Sequence, residues 1–229
     1  MTNTLLERTK WKTGIILEMV FGTGFIANLG YNTNVIQKEV LRMTTKSKFT
    51  TRKIVFIALM AALTCVGSMI RVTLPLDIAG TTSFHLGNIF CALSGLLLGP
   101  GMGGLAAGLG SAIYDMTNPL YIGEAWLTFL MKGAYGLAAG LVFKHLKVRE
   151  YVRDLLGTTA GAVTYAVLYL GKTCLKGMIV SGLTFNAALI ATAAKLPATT
   201  FNASVAIIFA PILATAIRTA LKKNHLTLG

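Results

Sequence analysis

The chain alternates long apolar runs with short polar clusters that are mostly basic. Ile54 to Ile70 carries no charged residue and follows directly on Arg52 and Lys53. Leu86 to Tyr114 is a second uncharged stretch. About 20 apolar residues in a helix cross the roughly 30 Å apolar layer of a bilayer, so the pattern predicts membrane-spanning helices. Three further spans are predicted at Glu124–Phe143, Leu155–Val180 and Pro197–Ile217.

The stretch from Leu86 to Tyr114 is too long for one span. As a single helix it would reach about 44 Å, and the run from Gly99 to Gly104 contains one proline and four glycines that favour a turn. With two spans here, all three basic clusters fall on one side, which the positive-inside rule makes cytoplasmic. We therefore predict an all-α integral membrane fold: a compact bundle of six transmembrane helices with both termini cytoplasmic. The basic clusters are Lys46, Lys48, Arg52 and Lys53; Lys144, Lys147, Arg149 and Arg153; and Arg218, Lys222 and Lys223.

This topology leaves three outer loops. They are Val72–His85, Thr117–Gly123 and Ser181–Leu196. The last loop is fairly apolar from Ala187 to Ala194, which predicts either a short interfacial helix or an extension of the final span.

Residues 1–42 fit the six-span scheme poorly. Gly14 to Tyr31 is apolar but contains Glu18 and Asn28, and no small-residue cleavage site follows it, which argues against a signal peptide. We predict two units, an N-terminal extension at 1–42 and a six-helix membrane domain at 43–229. Translation from Met43 is one hypothesis; a peripheral helix or an extra span in 1–42 is the alternative.

Composition supports a membrane protein and excludes several other classes. Charged residues make up 13% of the chain, about half the share of a soluble domain. The net charge of +13 comes from basic residues that flank apolar runs, so they predict contact with lipid headgroups and not with nucleic acid. Three cysteines lack metal-ligand spacing, and the sequence contains no catalytic set. We therefore predict neither a metal, a cofactor nor an enzyme.

Ionisable residues within the spans are the candidate functional groups, since they are costly in a bilayer. Lys132 lies about two turns into its span, where we predict a binding or pairing role with Asp115 and Glu124 as counter-ions. Lys172 either binds ligand or extends to the interface. Polar and aromatic residues that converge at the outer mouth of a bundle indicate a ligand pocket. The candidate substrate-binding residues are His85, Asn88, Tyr114, Asp115, Asn118, Glu124, Trp126, Lys132, Lys172 and Asn186.

The charges of the outer half are unequal. A modest excess of basic residues would suit a ligand with phosphate or carboxylate groups. The charges are those of Arg71, Lys132, Lys172, Lys176 and Lys195 against Asp77, Asp115 and Glu124.

Several segments together resemble a known family. Thr51-Arg52-Lys53 leads into Ile57–Leu63, which carries small residues at Ala58 and Ala62. Three other segments are similar to many members: Leu86-Gly87-Asn88 with the Leu-Leu-Leu-Gly-Pro turn at 96–100, Asp115–Pro119, and Phe129–Gly140. From about Thr50 to Lys222 the chain resembles the S components of energy-coupling factor (ECF) transporters, which also have six spans.

The resemblance implies a division of labour. An S component binds a vitamin or related micronutrient at its outer face and docks onto a transmembrane T component driven by two ABC-type ATPases, in a bacterial plasma membrane. It implies that Ala58 and Ala62 are docking residues and that the Val72–His85 loop covers the site. Cobalamin, pantothenate and pyridoxine-like ligands remain open. The alternative function is a stand-alone secondary transporter or facilitator, which would need broken helices in both halves of the chain.

Overall fold

The computed structural model describes residues 51–76 and 80–224 of the protein. Within them the chain forms seven α-helices, one 3-10 turn at Ile122–Glu124 and one β-hairpin. The strands are β1 (Arg71–Leu76) and β2 (Gly80–His85). The helices are α1 (Thr51–Met69), α2 (Gly87–Leu98), α3 (Pro100–Thr117), α4 (Ala125–His145), α5 (Glu150–Ile179), α6 (Phe185–Ala193) and α7 (Leu196–Lys223).

Some predictions fall outside this part of the chain. The extension at 1–42, the start at Met43 and the side chain of Asp77 lie beyond the described residues and stay predictions.

The turn at Gly99 divides the long apolar stretch into two helices, as its sequence predicts. Gly99 has a φ of 77°, which glycine adopts at little cost, and Pro100 starts α3 at a position where its missing N–H is not needed. The Ser94 hydroxyl donates to the Gly103 carbonyl at 3.0 Å, so α3 folds back against α2.

Three of the described helices are long and apolar enough to cross a membrane by length and composition. They are Thr51–Met69, Ile122–His145 and Leu196–Lys223. Helix α2 has 12 residues, about 18 Å, which is shorter than the apolar layer. The protein is therefore confirmed as mostly helical, and the count of six spans and the side of the termini stay predictions.

The predicted all-α class misses the β-hairpin in the loop at 72–85. β1 and β2 pair antiparallel, with Arg71 opposite His85. Side chains that branch at Cβ, such as those of Val72 and Thr73, favour this extended backbone. Asn202 of α7 occupies the place of a neighbouring strand: its amide donates to the Ser83 carbonyl at 2.8 Å and its Oδ1 accepts from the His85 N–H at 2.9 Å.

Other element ends differ modestly from the predictions. α5 starts five residues before the predicted Leu155, since Glu150 in its first turn stabilises a helix N-terminus. α6 is a separate helix, which resolves the two alternatives for the last loop in favour of a short helix.

Glycines bring α3 and α4 into backbone contact. A Cβ on Gly136 would lie 2.8 Å from the Gly103 carbonyl oxygen, and one on Gly104 would lie 2.8 Å from the Gly133 carbonyl oxygen. Small residues at a helix interface allow this close approach in lipid. The position of α4, and with it of Lys132, is therefore fixed by main-chain contact.

A buried ion pair, which we call the Asp154 pair, joins α5 to α7 near the start of α5. Arg218 Nη1 donates to both carboxylate oxygens of Asp154, at 2.9 and 2.7 Å, and the Asp154 side chain is fully buried. Arg218 Nη2 also donates to the Leu96 carbonyl at 2.9 Å, and the guanidinium lies 4.4 Å from the centre of the Phe143 ring. One side chain thus ties α2, α4, α5 and α7 together.

Candidate substrate-binding site

A cavity of about 400 Å³ lies between the hairpin, the 3-10 turn and helices α3, α4, α5 and α7. This volume falls in the range of small-molecule sites. Half of the predicted site residues line it: His85, Asp115, Glu124, Lys132 and Lys172.

Lys132 is a buried cation in the cavity wall, with a residual exposure of 4%. Its Nζ donates to Asn88 Oδ1 and lies 3.9 Å from the centre of the Tyr165 ring. Among the described residues, no carboxylate comes within 4.0 Å of this Nζ. Asp115 lines the same cavity but does not form the predicted ion pair with Lys132.

Glu124, the other predicted counter-ion of Lys132, pairs with different lysines. Its carboxylate accepts from Lys172 at 2.6 Å and also from Lys176. The prediction of a Glu124–Lys132 pair is therefore wrong. Lys172 reaches Glu124 because α4 starts beside the last turns of α5.

Three tyrosines form a stack beside Lys132, which we call the tyrosine stack. The ring centres of Tyr135 and Tyr165 are 6.1 Å apart with planes inclined by 22°, and those of Tyr165 and Tyr169 are 5.7 Å apart with planes inclined by 17°. Tyr165 and Tyr169 line the cavity. The prediction did not include them, although their four-residue spacing puts them on one face of α5.

The charged lining is predominantly basic. Five basic and two acidic side chains reach the cavity, namely Arg71, Lys132, Lys172, Lys176 and Lys195 against Asp115 and Glu124. The Arg71 guanidinium lies 4.4 Å from the centre of the Tyr114 ring and 4.7 Å from that of Tyr121. Among the described residues, Glu124 is thus the one acidic group of the lining that forms ion pairs with these cations.

His85 adds no positive charge at neutral pH. Burial, together with the charges of Lys132 and Arg71, lowers the pKa of His85 well below its ordinary value. Its Nδ1 accepts from the Gly87 N–H at 3.2 Å, which also requires an unprotonated nitrogen.

The other predicted site residues lie outside the cavity lining. Some are packed behind the lining and others are exposed away from it. Asn88 is buried behind the wall and holds Lys132, while Tyr114 lies under Arg71 and accepts a hydrogen bond from the Asn118 amide at 3.1 Å. Trp126 is 63% exposed, because it lies six positions before Lys132 and therefore on another face of α4.

Asn186 lies apart as well. It is exposed on α6, whose buried face is formed by Ala188, Ala191 and Thr192.

The predicted docking residues lie on an exposed face of α1. Ala58 and Ala62 are both exposed, and Val55, Leu59 and Val66 are exposed beside them. The opposite face packs inside the bundle. We call the exposed side the α1 face.

Comparison with known proteins identifies the family. Residues 48–219 match the family described as the S component of ECF-type riboflavin transporters. The chain belongs to this family.

Individual relatives match about half of the chain. A protein of Pyrococcus woesei, named an uncharacterized protein in the gap 3' region, is 32% identical over 108 residues, which cover 47% of this chain and 68% of that protein. UPF0397 proteins of Streptococcus pneumoniae serotype 19F (strain G54) and strain 70585 are 31% identical over 129 residues, which cover 53% of this chain and 68% of each protein. These names state no substrate.

The family assignment confirms the predicted class of function. The protein is the substrate-binding S component of an ECF transporter for vitamin uptake and not an enzyme. It is a multi-pass protein of a prokaryotic membrane. Membership of the family implies a T component and ATPases as partners of this S component.

Proposed function

We propose that this S component captures a vitamin-sized ring compound in the cavity beside the tyrosine stack. The observation that carries the proposal is the combination of stacked aromatic faces with a buried lysine in a space of about 400 Å³. Flat rings stack on aromatic side chains, and a few convergent polar groups fix their orientation.

The family description names riboflavin, whose fused rings suit such a wall. Among the ligands left open by the sequence, a pyridoxine-like ring fits the same argument. Cobalamin is much larger than this cavity, and pantothenate has no ring to stack. Riboflavin-like and pyridoxine-like compounds are therefore the first to test.

We further propose six spans with both ends cytoplasmic. Basic residues at the start of α1, around the α4–α5 turn and at the end of α7 support this orientation through the positive-inside rule. The Arg218 bond to Leu96 supports a common level for the end of α7 and the α2–α3 turn. On this orientation the cavity opens to the outside.

The proposed partners are one T component and two ABC-type ATPases, with the α1 face as the docking surface. Small exposed residues on a helix allow a partner helix to approach closely in lipid. Since the side chain of a phenylalanine would hold that partner away, we expect Ala58→Phe and Ala62→Phe to abolish uptake while ligand affinity stays unchanged.

Val163→Phe is the matched control, because Val163 is 56% exposed on another helix. It should transport normally. Loss of ligand binding in the Ala58 and Ala62 variants would contradict a docking role.

Co-purification tests the function as a whole. Tagged protein from its native membrane should bring down the T component and both ATPases, and mass spectrometry of the extracted small molecules should reveal a ring-bearing vitamin. A protein that isolates without these subunits, and whose uptake is insensitive to ATP depletion, would contradict the proposed partners and favour a stand-alone transporter.

A further inference from the structure

We propose that the ligand is an acid: a planar ring compound with a carboxylate or phosphate group that binds Lys132. This inference rests on the proposed function, since it takes the cavity to be the substrate site. It goes further by assigning a negative charge to the ligand and a place for that charge.

The first support is the state of Lys132. A buried ammonium needs a partner of opposite charge, because removal from water is costly. Within residues 51–76 and 80–224, the polar contacts of Lys132 are the Asn88 amide oxygen and the face of Tyr165. The dipole of the amide and the quadrupole of the aromatic ring both stabilise a cation. Neither group carries a negative charge that would neutralise it.

The second support is that the acidic side chains of the lining are too few to balance its basic side chains. Glu124 is already bound to Lys172 and Lys176. Asp115 can offset only one of the remaining cations, which are Arg71, Lys132 and Lys195. An anion in the cavity would therefore enter a site with an uncompensated positive charge.

The third support is the relation between Lys132 and the tyrosine stack. Lys132 Nζ lies 3.9 Å from the centre of the Tyr165 ring, and the Tyr169 ring follows at 5.7 Å from Tyr165. Lys172 and Lys195 lie 5.4 and 5.7 Å from the centre of Tyr169. Cations therefore flank the aromatic surface, so a ring that stacks there can reach a lysine through an acid group attached by a few bonds.

Riboflavin itself carries no acid group and would add no counter-charge beside Lys132. Its phosphate ester would supply one. The ligand class that fits all three supports is a planar acid, whether the acid is a carboxylate on the ring or a phosphate ester attached to it.

Matched pairs of ligands separate the effect of the acid group on affinity from that of the ring. Each pair has a neutral and an acidic member: riboflavin and riboflavin 5′-phosphate, pyridoxine and pyridoxine 5′-phosphate, nicotinamide and nicotinate. Calorimetric titration of the purified protein at low salt gives the affinity for each compound. We expect the acidic member of a pair that binds to bind about 30-fold more tightly, as for one charge-assisted hydrogen bond. The first two pairs test phosphate and the third tests carboxylate.

Variants of Lys132 assign that preference to one side chain. Lys132→Met should reduce the preference to within about threefold. Lys132→Arg should retain most of the preference. Lys195→Met is the matched control, a lysine at the same cavity, and it should have the smaller effect. The unfolding midpoint of each variant establishes that the protein is folded.

A neutral member that binds as tightly as its acid overturns the proposal and leaves the proposed function intact. So does a Lys132→Met protein that keeps the full preference. Binding of none of the six compounds also overturns it, and co-purification with the T component then decides separately whether the proposed function stands.

Discussion

Two buried charged side chains of this protein differ in whether an opposite charge pairs with them. Asp154 is fully buried and receives two hydrogen bonds from Arg218, whereas Lys132 is 4% exposed and receives no carboxylate from the described residues. On α5, Asp154 and the Lys132 contact Tyr165 are about 17 Å apart. One end of the bundle therefore satisfies its charge internally, and the other leaves a charge that a ligand can satisfy.

The chemistry of the two cations explains the contrast. Arginine has a rigid fork of donors, so Arg218 can bind Asp154 and the Leu96 carbonyl at once and hold several helices. Lysine has a compact charge on a flexible stem, which can exchange an amide partner for a ligand. The arginine thus suits a structural role at Asp154, and the lysine suits a ligand-binding role in the cavity.

The largest effect should follow from removal of the cation of the Asp154 pair. Arg218→Gln leaves Asp154 buried without a counter-charge, which costs about 3–5 kcal/mol of stability. Thermal unfolding of the purified protein in detergent should show a strongly lowered midpoint, or the protein should fail to accumulate.

The double variant Asp154→Asn with Arg218→Gln is the control for this prediction. With both charges removed, most of the stability should return, because the coupling between the two residues is what the single variant destroys. Equal losses in the single and double variants would show that the ion pair is not the cause.

A smaller effect is expected at Glu124. Its ion pairs with Lys172 and Lys176 are partly exposed, with 27% of the Glu124 side chain accessible. Because solvent screens such pairs, Glu124→Gln should cost no more than about 1 kcal/mol of unfolding free energy. If Glu124→Gln lost as much unfolding free energy as Arg218→Gln, the ion pairs of Glu124 would be structural too. The contrast between the cavity and the Asp154 pair would then be wrong.

The smallest effect on stability should come from Lys132→Met in the absence of ligand. Relief of the buried charge and loss of the bond to Asn88 act in opposite directions, so we expect a change within about 1 kcal/mol. The same unfolding measurement tests it. A loss near that of Arg218→Gln would make Lys132 a structural residue like Arg218, whereas a small change combined with lost acid preference would sharpen the difference between the two ends.

Much of the fold follows from the sequence because its signals are local. The absence of charge from Ile54 to Ile70 and the glycine and proline at 99–100 are each enough to predict a helix or a turn. The hairpin was not predicted, and part of its hydrogen bonding comes from Asn202, which lies 117 residues beyond His85. Such long-range bonds leave no periodic pattern in the sequence.

The site was predictable to a lesser degree for the same reason. Lys132 is recognisable as an ionisable residue within an apolar span, and the structure brings it beside His85, Asp115 and Lys172 in one cavity. The partners of Glu124 were not predictable, because its pairing with Lys172 and Lys176 depends on how α4 and α5 meet. Trp126 shows why the position of a residue along a helix is not enough: its side chain lies on an exposed face of α4 and not in the cavity lining.

Asn202 lines the cavity and also binds the hairpin that covers it. Its two hydrogen bonds to β2 come from a single amide group, so the hairpin cannot move away from α7 without losing both together. The Phe84 ring of the hairpin also packs against Phe201 of α7, with ring centres 5.1 Å apart, so opening of the hairpin would break this contact together with both amide bonds. The same helix carries Arg218 near its other end, so α7 holds the hairpin through Asn202 and the start of α5 through Arg218.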